Sequence, residues 1–143
     1  MSVTEILYTA HGSAMGGRAG RGTTDDKKLD LTLSVPSGLG GDNGPGTNPE
    51  QLFSVGYSAC FLGALKVVAG KAKIRLPEDT TVAAAIGIGP REDGGGFGIT
   101  AALTITADGI EKATLEDLVQ KAHIVCPYSN AIHKTVDVKL HIA

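Results

Sequence analysis

Residues 48–70 read NPEQLFSVGYSACFLGALKVVAG, and this stretch decides the fold. It carries the start signals of a helix, because Asn48 can cap, Pro49 suits the first helical position and Gln51 stands where a capping box has its second member. Gly70 marks the expected end. The segment is apolar almost all round, and its small residues allow another backbone to come close, so it predicts a buried central helix. Cys60 lies in the middle of that helix.

Short strands are predicted on both sides of this helix. A weak apolar pattern predicts a strand over residues 3–11, after which glycines break the chain into a loop or wide hairpin that carries Arg18 and Arg21. The clearer strand patterns lie at residues 29–35, 81–88, 97–106 and 136–142. A glycine-rich turn over residues 89–96 joins the second and third of these into a hairpin.

A second helix is predicted from Thr114, which can cap it, to about Val125. Cys126-Pro127 ends this helix, because the residue before a proline is pushed out of helical geometry. A short turn or helix over residues 128–133 follows. Runs of strands joined by short turns favour an α+β fold with mostly antiparallel sheets, formed by a single domain over residues 1–143.

Composition excludes several classes of protein. The 143 residues include 13 Lys and Arg against 15 Asp and Glu, and this formal charge of −2 argues against a nucleic-acid-binding surface. Apolar residues make up 42% of the chain, as in ordinary globular proteins. No apolar run reaches the length of about 18 residues that a membrane span needs, and no secretory signal pattern opens the chain. We therefore expect a cytoplasmic protein without membrane insertion.

The two cysteines leave three possibilities open. Cys60 and Cys126 can be catalytic or redox-active, can bind a metal, or can be unrelated buried thiols that pack as small hydrophobic groups. Metal binding is disfavoured, since His123 at i,i+3 from Cys126 supplies only a second ligand and no CxxC or HExxH motif occurs. Motifs for phosphate binding and serine hydrolysis are also incomplete. We expect neither a metal ion nor another cofactor.

Cys60 needs a cation to react. Its position in the most apolar segment disfavours the thiolate and raises the thiol pKa. Arg18 and Arg21, on the glycine-rich loop, are candidates, because a guanidinium stays charged in an apolar pocket and holds two partners at once. Glu50, at the start of the helix, could hold one edge of the guanidinium and aim the other edge at sulfur.

The spacing of Glu50 and Cys60 bears on the number of subunits. Ten residues of one continuous helix extend about 15 Å along its axis, so the two side chains do not touch within one chain. Either Arg18 spans the gap, or the arginine–glutamate pair belongs to a second subunit packed on the helix. The small residues around Cys60 favour the second reading, which predicts an active site shared across a homodimer.

Three segments carry a resemblance: GGRAGR at residues 16–21, GTNPEQLF with GYSACF at residues 46–53 and 56–61, and VCPYSNA at residues 125–131. Together they resemble the organic hydroperoxide resistance (Ohr) branch of the OsmC/Ohr family, which also contains the osmotically inducible hydroperoxidases. The resemblance covers nearly the whole chain, including its length and its order of elements. The helix segment and the CPYSN run are its specific parts.

The resemblance implies an OsmC/Ohr-like fold in an intertwined homodimer whose two sites draw residues from both chains. It places the peroxidatic cysteine at Cys60, the resolving cysteine at Cys126, the activating arginine at Arg18 and its carboxylate partner at Glu50. The implied reaction reduces organic hydroperoxides, including those of fatty acids, to alcohols through a Cys60 sulfenic acid and a Cys60–Cys126 disulfide. The implied reductant is a dithiol, either dihydrolipoamide or a lipoylated protein.

Other functions stay open beside this one. An OsmC-type hydroperoxidase of the same family would differ in its substrate preference. A thiol redox sensor or binding protein would use the disulfide to change its affinity for a partner. A structural or lipid-binding dimer would keep both cysteines as core residues only.

Overall fold

The computed structural model describes residues 2–143 of the chain. The chain forms two compact units, one up to Leu52 and one from Phe53 to Ala143. Each unit contains one small three-stranded sheet, and helices complete an α+β fold, as the sequence predicts. The assignment of residues 1–143 to a single domain stays a prediction.

The first unit is built on an antiparallel sheet. Its strands, in sheet order, are β1 (Gly12–Met15), β2 (Arg21–Thr24) and β3 (Asp30–Thr32). A single 3-10 turn, Gly17–Ala19, joins β1 to β2. Gly20 follows this turn, and a Cβ atom there would lie 1.8 Å from the carbonyl oxygen of Met15, so only glycine fits.

Two sequence predictions fail in this unit. Residues 3–11 form no strand, since β1 begins at Gly12, and the apolar side chains of that segment are exposed instead. The strand predicted over residues 29–35 is also shorter, because pairing of β3 with β2 stops at Thr32. Leu33 continues only as a single bridge to Thr47. A strand needs a partner as well as a pattern, and the pattern alone does not supply one.

The second unit holds the main core. Helix α1 (Pro49–Lys71) continues into it from the first unit, and its remaining elements are β4 (Thr81–Pro90), β5 (Phe97–Thr106), α2 (Lys112–Val125), α3 (Pro127–Ile132) and β6 (Lys139–Ile142). The sheet has the order β4-β5-β6, in which β4 is antiparallel and β6 parallel to β5. The core joins one face of α1 to β5 and α2; its fully buried side chains include Tyr57, Phe61, Leu65, Leu103, Ile105, Leu118 and Val119.

Helix α1 buries one face only within this chain. The opposite stripe, Val55, Ala59, Gly63 and Val67, is exposed, with Val55 at 71% and Val67 at 49%.

Among the described helices, α1 is the one long and apolar enough to cross a membrane by length and composition. Six of its side chains lie in the core of the second unit, which is the packing of a core helix.

The helix ends confirm some of the sequence signals. Asn48 caps α1, because its Oδ1 accepts the backbone N–H of Gln51 at 2.8 Å, while the side chain of Gln51 accepts the hydroxyl of Thr47. Pro127 ends α2 as predicted, and Cys126 has the extended backbone angles φ −64° and ψ 123°.

The predicted cap of α2 is wrong. This helix starts at Lys112, after Glu111, and the residue at its cap position makes no side-chain capping bond. Thr114 therefore lies inside the first turn. A turn precedes the helix, in which the N–H of Ile110 donates to the carbonyl oxygen of Ala107 and Gly109 has a φ of 88°, and the N–H of Leu115 donates to the carbonyl oxygen of Glu111.

Candidate active site

Arg18 and Glu50 form a two-pronged ion pair in the first unit. Arg18 lies in the 3-10 turn between β1 and β2, and Glu50 lies in the first turn of α1, where the helix dipole favours a carboxylate. Arg18 donates from both terminal nitrogens, with Nη1 2.8 Å from Oε2 and Nη2 2.7 Å from Oε1 of Glu50. This fork fixes the plane of the guanidinium and leaves its other N–H groups available for a further partner.

The pair is held in its charged form. The hydrogen bonds from Arg18 lower the pKa of Glu50, and the same contact raises the pKa of Arg18. The Glu50 side chain is 15% exposed and that of Arg18 is 39% exposed, so the carboxylate is the more shielded partner. The result is an oriented cation at neutral pH.

Arg21, the other arginine of the loop, has a different partner. It lies on β2 and makes its own two-pronged contact with Asp30 of β3, at 2.6 and 2.7 Å. The side chain of Arg21 is 65% exposed and that of Asp30 is 37% exposed. Of the two candidate arginines, the structure therefore brings Arg18 to Glu50 and leaves Arg21 in an ordinary cross-strand pair.

Cys60 and Cys126 lie side by side in the second unit. Their sulfur atoms are 3.4 Å apart, and both are free thiols. Cys60 lies on α1 and is partly buried, whereas Cys126, at the junction of α2 and α3, is fully buried. A disulfide bond is about 2.05 Å long, so closing one requires the sulfurs to approach by about 1.4 Å.

The surroundings of Cys60 do not favour its thiolate. Burial raises the pKa of this thiol, and the neighbouring Cys126 raises it further. The backbone N–H of Tyr128 acts in the opposite sense, because it donates toward the sulfur and lowers the pKa. The net pKa is raised, as expected from the apolar sequence, so a reactive Cys60 needs an additional cation.

Aromatic rings belong to the same core cluster as the two cysteines. Phe53 and Tyr57 of α1 each pack against the ring of Tyr128 in a tilted orientation, with ring centroids 5.6 and 5.8 Å apart. Tyr57 also lies 6.5 Å from Phe61 by the same measure. A Cβ atom at Gly56 would stand 3.1 Å from the hydroxyl oxygen of Tyr128, so glycine leaves room for that ring. Sequence reasoning missed this cluster, although the spacing of Phe53, Tyr57 and Phe61 along one helix face was available as a signal.

His123, the residue weighed as a metal partner for Cys126, lies in α2. Its Nδ1 is buried and has no hydrogen-bond partner within the described residues, and burial together with His133 lowers the pKa of its ring. Between residues 2 and 143, no group of three or more His, Cys, Asp or Glu side chains is placed to hold a metal ion.

Sequence comparisons find similarity to one protein family over nearly the whole chain. A sequence model described as OsmC-like protein matches residues 40–141. An organic hydroperoxide resistance protein of Xanthomonas axonopodis pv. citri is 52% identical over 142 residues, which cover 99% of each chain.

Solved structures agree with these sequence matches. An organic hydroperoxide resistance protein of Elizabethkingia anophelis, crystallised with thiocyanate, superposes with a TM-score of 0.90 at 44% identity, over 98% of this chain and 99% of that one. The organic hydroperoxide resistance protein OhrB of Bacillus subtilis gives a TM-score of 0.88 at 40% identity, over 96% and 100%.

Proposed function

This chain belongs to the organic hydroperoxide resistance group of the OsmC-like protein family, and from that premise we propose that it is a thiol peroxidase acting through Cys60. The family name implies detoxification of organic hydroperoxides. The observation that carries the finer proposal is the 3.4 Å contact between two free thiols, one partly accessible and one fully buried. This is the arrangement that a peroxidatic and a resolving cysteine require.

The first step oxidises Cys60. Its thiolate attacks the terminal oxygen of the hydroperoxide, so that an S–O bond forms and the O–O bond breaks. The leaving alkoxide takes a proton and departs as the alcohol, and Cys60 becomes a sulfenic acid. The backbone N–H of Tyr128 helps to hold the thiolate, because it already donates toward the sulfur.

The second step closes the disulfide. The Cys126 thiolate attacks the sulfenic sulfur, the S–S bond forms, and the hydroxyl group of the sulfenic acid leaves as water after protonation. A dithiol such as dihydrolipoamide, free or carried on a lipoylated protein, then reduces the bond by exchange and is itself oxidised to a disulfide. A reducing cytoplasm suits such a cycle, since both thiols are then free at rest.

Arg18 supplies the cation that Cys60 lacks. Its terminal nitrogens are oriented by Glu50, and its remaining N–H groups would stabilise both the thiolate and the developing alkoxide. We assign this role to the Arg18–Glu50 pair of a second copy in an intertwined homodimer. The exposed apolar stripe Val55, Ala59, Gly63 and Val67 on α1 supports that assembly, because a second helix can pack on it.

The apolar surroundings of Cys60 favour organic substrates over hydrogen peroxide. The rings of Phe53 and Tyr128 pack against each other and are partly exposed, so they offer apolar surface to an alkyl or fatty-acid chain. Each buried methylene group contributes about 0.8 kcal/mol to binding. No metal ion, haem or flavin takes part in the proposed cycle.

The test is a count of free thiols, together with the intact mass, after one equivalent of an alkyl hydroperoxide. We expect both thiols to disappear with the mass of a disulfide, and we expect Cys60→Ser to abolish the reaction. Two untouched thiols in the unaltered protein would contradict the enzymatic function and favour a structural role for the cysteines. A single modified thiol would remove Cys126 from the resolving step.

A second measurement separates an enzyme from a sensor. Sustained consumption of hydroperoxide in the presence of dihydrolipoamide is expected of the peroxidase. A redox sensor would form the disulfide once and then stop. Comparing an alkyl hydroperoxide with hydrogen peroxide in the same assay tests the substrate preference, which equal efficiency would contradict.

A further inference from the structure

A second polar contact runs beside the two thiols. The hydroxyl of Tyr57 on α1 lies 2.6 Å from the hydroxyl of Ser129 on α3, and both residues are completely buried. Tyr57 precedes Cys60 by three residues, and Ser129 follows Cys126 by three residues. Tyr57 and Cys60 lie on one face of α1, so the hydroxyl pair and the sulfur pair are two contacts between α1 and the segment that begins at Cys126.

The two contacts differ in what the proposed cycle demands of them. The sulfur contact must admit an oxygen atom on Cys60, close from 3.4 Å to bonding distance, and open again when the dithiol reduces it. The hydroxyl contact takes part in no chemistry and can persist throughout. Burial raises the pKa of Tyr57, so its hydroxyl stays protonated, and either hydroxyl can be the donor in this hydrogen bond.

Cys126 is packed in the core, but none of its backbone hydrogen bonds is made with α1. It is the extended residue between α2 and α3, and α3 has only six residues. Its N–H donates to the carbonyl oxygen of Ala122 in α2 and its carbonyl oxygen accepts the N–H of Asn130 in α3, so neither backbone bond reaches α1. The hydrogen bond of Ser129 to Tyr57 ties the side chains of α3 to α1, in addition to the Tyr128 N–H that acts on Cys60.

We infer that the hydrogen bond between Tyr57 and Ser129 positions Cys126 for attack on the oxidised Cys60. This inference rests on the proposed peroxidase cycle. Both side chains are positioning residues, since they act through the placement of Cys126 and not on the peroxide.

Loss of the hydrogen bond therefore slows disulfide closure and leaves the first oxidation of Cys60 intact. The longer-lived sulfenic acid then meets a second hydroperoxide. That reaction adds a second oxygen to sulfur, releases a second alcohol and gives the sulfinic acid, which a dithiol does not reduce.

The test uses Tyr57→Phe, Ser129→Ala and the double variant in single-turnover mixing with one equivalent of tert-butyl hydroperoxide. Sulfenic acid is trapped with dimedone, and the disulfide is followed by intact mass. We expect the oxidation of Cys60 to stay within about twofold of the unaltered protein. We expect disulfide closure to slow about tenfold, the rate equivalent of one net hydrogen bond.

Two controls separate positioning from general loosening. The double variant leaves neither hydroxyl buried without a partner, so it should be more stable than either single variant while closing the disulfide just as slowly. Ser54→Ala removes another 2.6 Å hydrogen bond of α1, to the carbonyl oxygen of Ala84, and should leave the closure rate unchanged. Equal slowing by Ser54→Ala would overturn the positioning role.

The remaining outcomes distinguish this inference from the proposed function. Closure at the unaltered rate in all three variants would overturn the inference and leave the peroxidase cycle standing. Failure of the unaltered protein to form any disulfide would instead overturn the cycle on which the inference rests. If a single variant does not fold, the double variant replaces it, and its rate of disulfide closure is compared with that of the unaltered protein in the same way.

Discussion

The Arg18–Glu50 pair and the Cys60–Cys126 pair are held by opposite means. The first is a charged fork on a small sheet, with Arg18 39% exposed, and the hydrogen bonds themselves fix its geometry. The second lies in a packed core, where burial raises the pKa of Cys60 and covers Cys126 completely. The charged pair therefore keeps partial contact with solvent through Arg18, whereas the sulfur pair is largely shielded from solvent. The first pair supplies an oriented cation and the second supplies the reacting thiols, and the proposed chemistry needs both.

The two units also differ in how well they cover their own apolar side chains. Within the described part of the first unit, Leu33 is the one buried hydrophobic residue, whereas Val3, Ile6, Leu7 and Tyr8 are exposed by 76% or more. The second unit contains a core drawn from α1, β5 and α2. A unit with so little buried apolar surface is poorly stabilised alone, and this contrast supports the proposed second copy.

Breaking the sulfur pair gives the largest effect. In Cys126→Ser, the first equivalent of alkyl hydroperoxide should still oxidise Cys60, because the rings and the N–H of Tyr128 remain. Sustained turnover with dihydrolipoamide should fall to background, and Cys60 should accumulate as sulfinic acid at excess peroxide. Peroxide consumption and intact mass measure the two results. Unchanged turnover would show that another thiol resolves the sulfenic acid.

Breaking the charged pair gives the next largest effect. In Arg18→Gln, the burial-raised pKa of Cys60 is no longer offset, so the thiolate fraction at neutral pH falls about tenfold for each pKa unit. We expect the rate at pH 7 to drop about 10- to 100-fold and to recover as the pH rises toward the ionisation of the thiol. The pH–rate profile of single-turnover oxidation measures this shift.

Arg21→Gln is the matched control for that experiment. Arg21 makes the same two-pronged contact, but with Asp30 on the exposed sheet surface. Its loss should leave the pH–rate profile in place. Equal effects of the two substitutions would mean that net positive charge, and not the oriented guanidinium of Arg18, activates the thiol.

The fold was predictable where the signals are local. The cap at Asn48, the apolar run of α1 and the proline at the end of α2 each act within a few residues, and the structure has all three. The strand predicted over residues 3–11 fails because β1 extends only as far as β2 pairs with it, up to Gly12 opposite Thr24. Strand pairing is a non-local property that the pattern of one segment does not contain.

The candidate site divides along the same line. Residue type and the family resemblance singled out Arg18, Glu50, Cys60 and Cys126 from the sequence. The contact of Tyr57 with Ser129 joins residues 72 apart and has no motif of its own. The approach of the Tyr128 N–H to Cys60 is likewise a consequence of folding, because it depends on how α3 packs on α1. Packing contacts of this kind depend on the three-dimensional arrangement of segments that are distant in sequence.

A substitution on the exposed stripe of α1 tests whether a second copy packs there. It should raise the stability of an isolated chain and lower the stability of a homodimer. A Cβ atom at Gly63 meets no atom within 4 Å in this chain, so Gly63→Leu should stabilise an isolated chain by up to about 1 kcal/mol through helix propensity. A homodimer packed on this face should instead be disrupted by the bulk. Sedimentation velocity measures the oligomeric state, and thermal unfolding shows whether stability rises or falls.

Gly63→Ala serves as the control, because it raises helix propensity with little added volume. It should stabilise the protein in either case. A Gly63→Leu variant that keeps the assembly of the unaltered protein and gains stability would exclude a partner on this stripe. The assignment of Arg18 to a second copy would then lose its structural support.

The smallest effect concerns the acid stability of the charged pair. The pKa of Glu50 is lowered in the folded chain, so its pairing with Arg18 stabilises the fold above the ordinary glutamate pKa of about 4.3 and is lost as the pH falls through the lowered value. We expect Glu50→Gln to lower the free energy of unfolding at pH 6 by no more than about 1 kcal/mol, because Arg18 is partly exposed. Denaturant unfolding at a series of pH values measures the difference.

That difference should begin to narrow as the pH falls below about 4.3 and should approach zero below the lowered pKa of Glu50, where the unaltered carboxyl is protonated in the folded chain as well. Asp30→Asn provides the comparison, because the pKa of Asp30 is also lowered by its arginine while its pair lies exposed on the sheet. Its effect should be smaller and should vanish more readily with added salt. A Glu50→Gln difference that persists unchanged at pH 3 would mean that Glu50 stabilises the first unit by packing, and that the fork with Arg18 serves orientation alone.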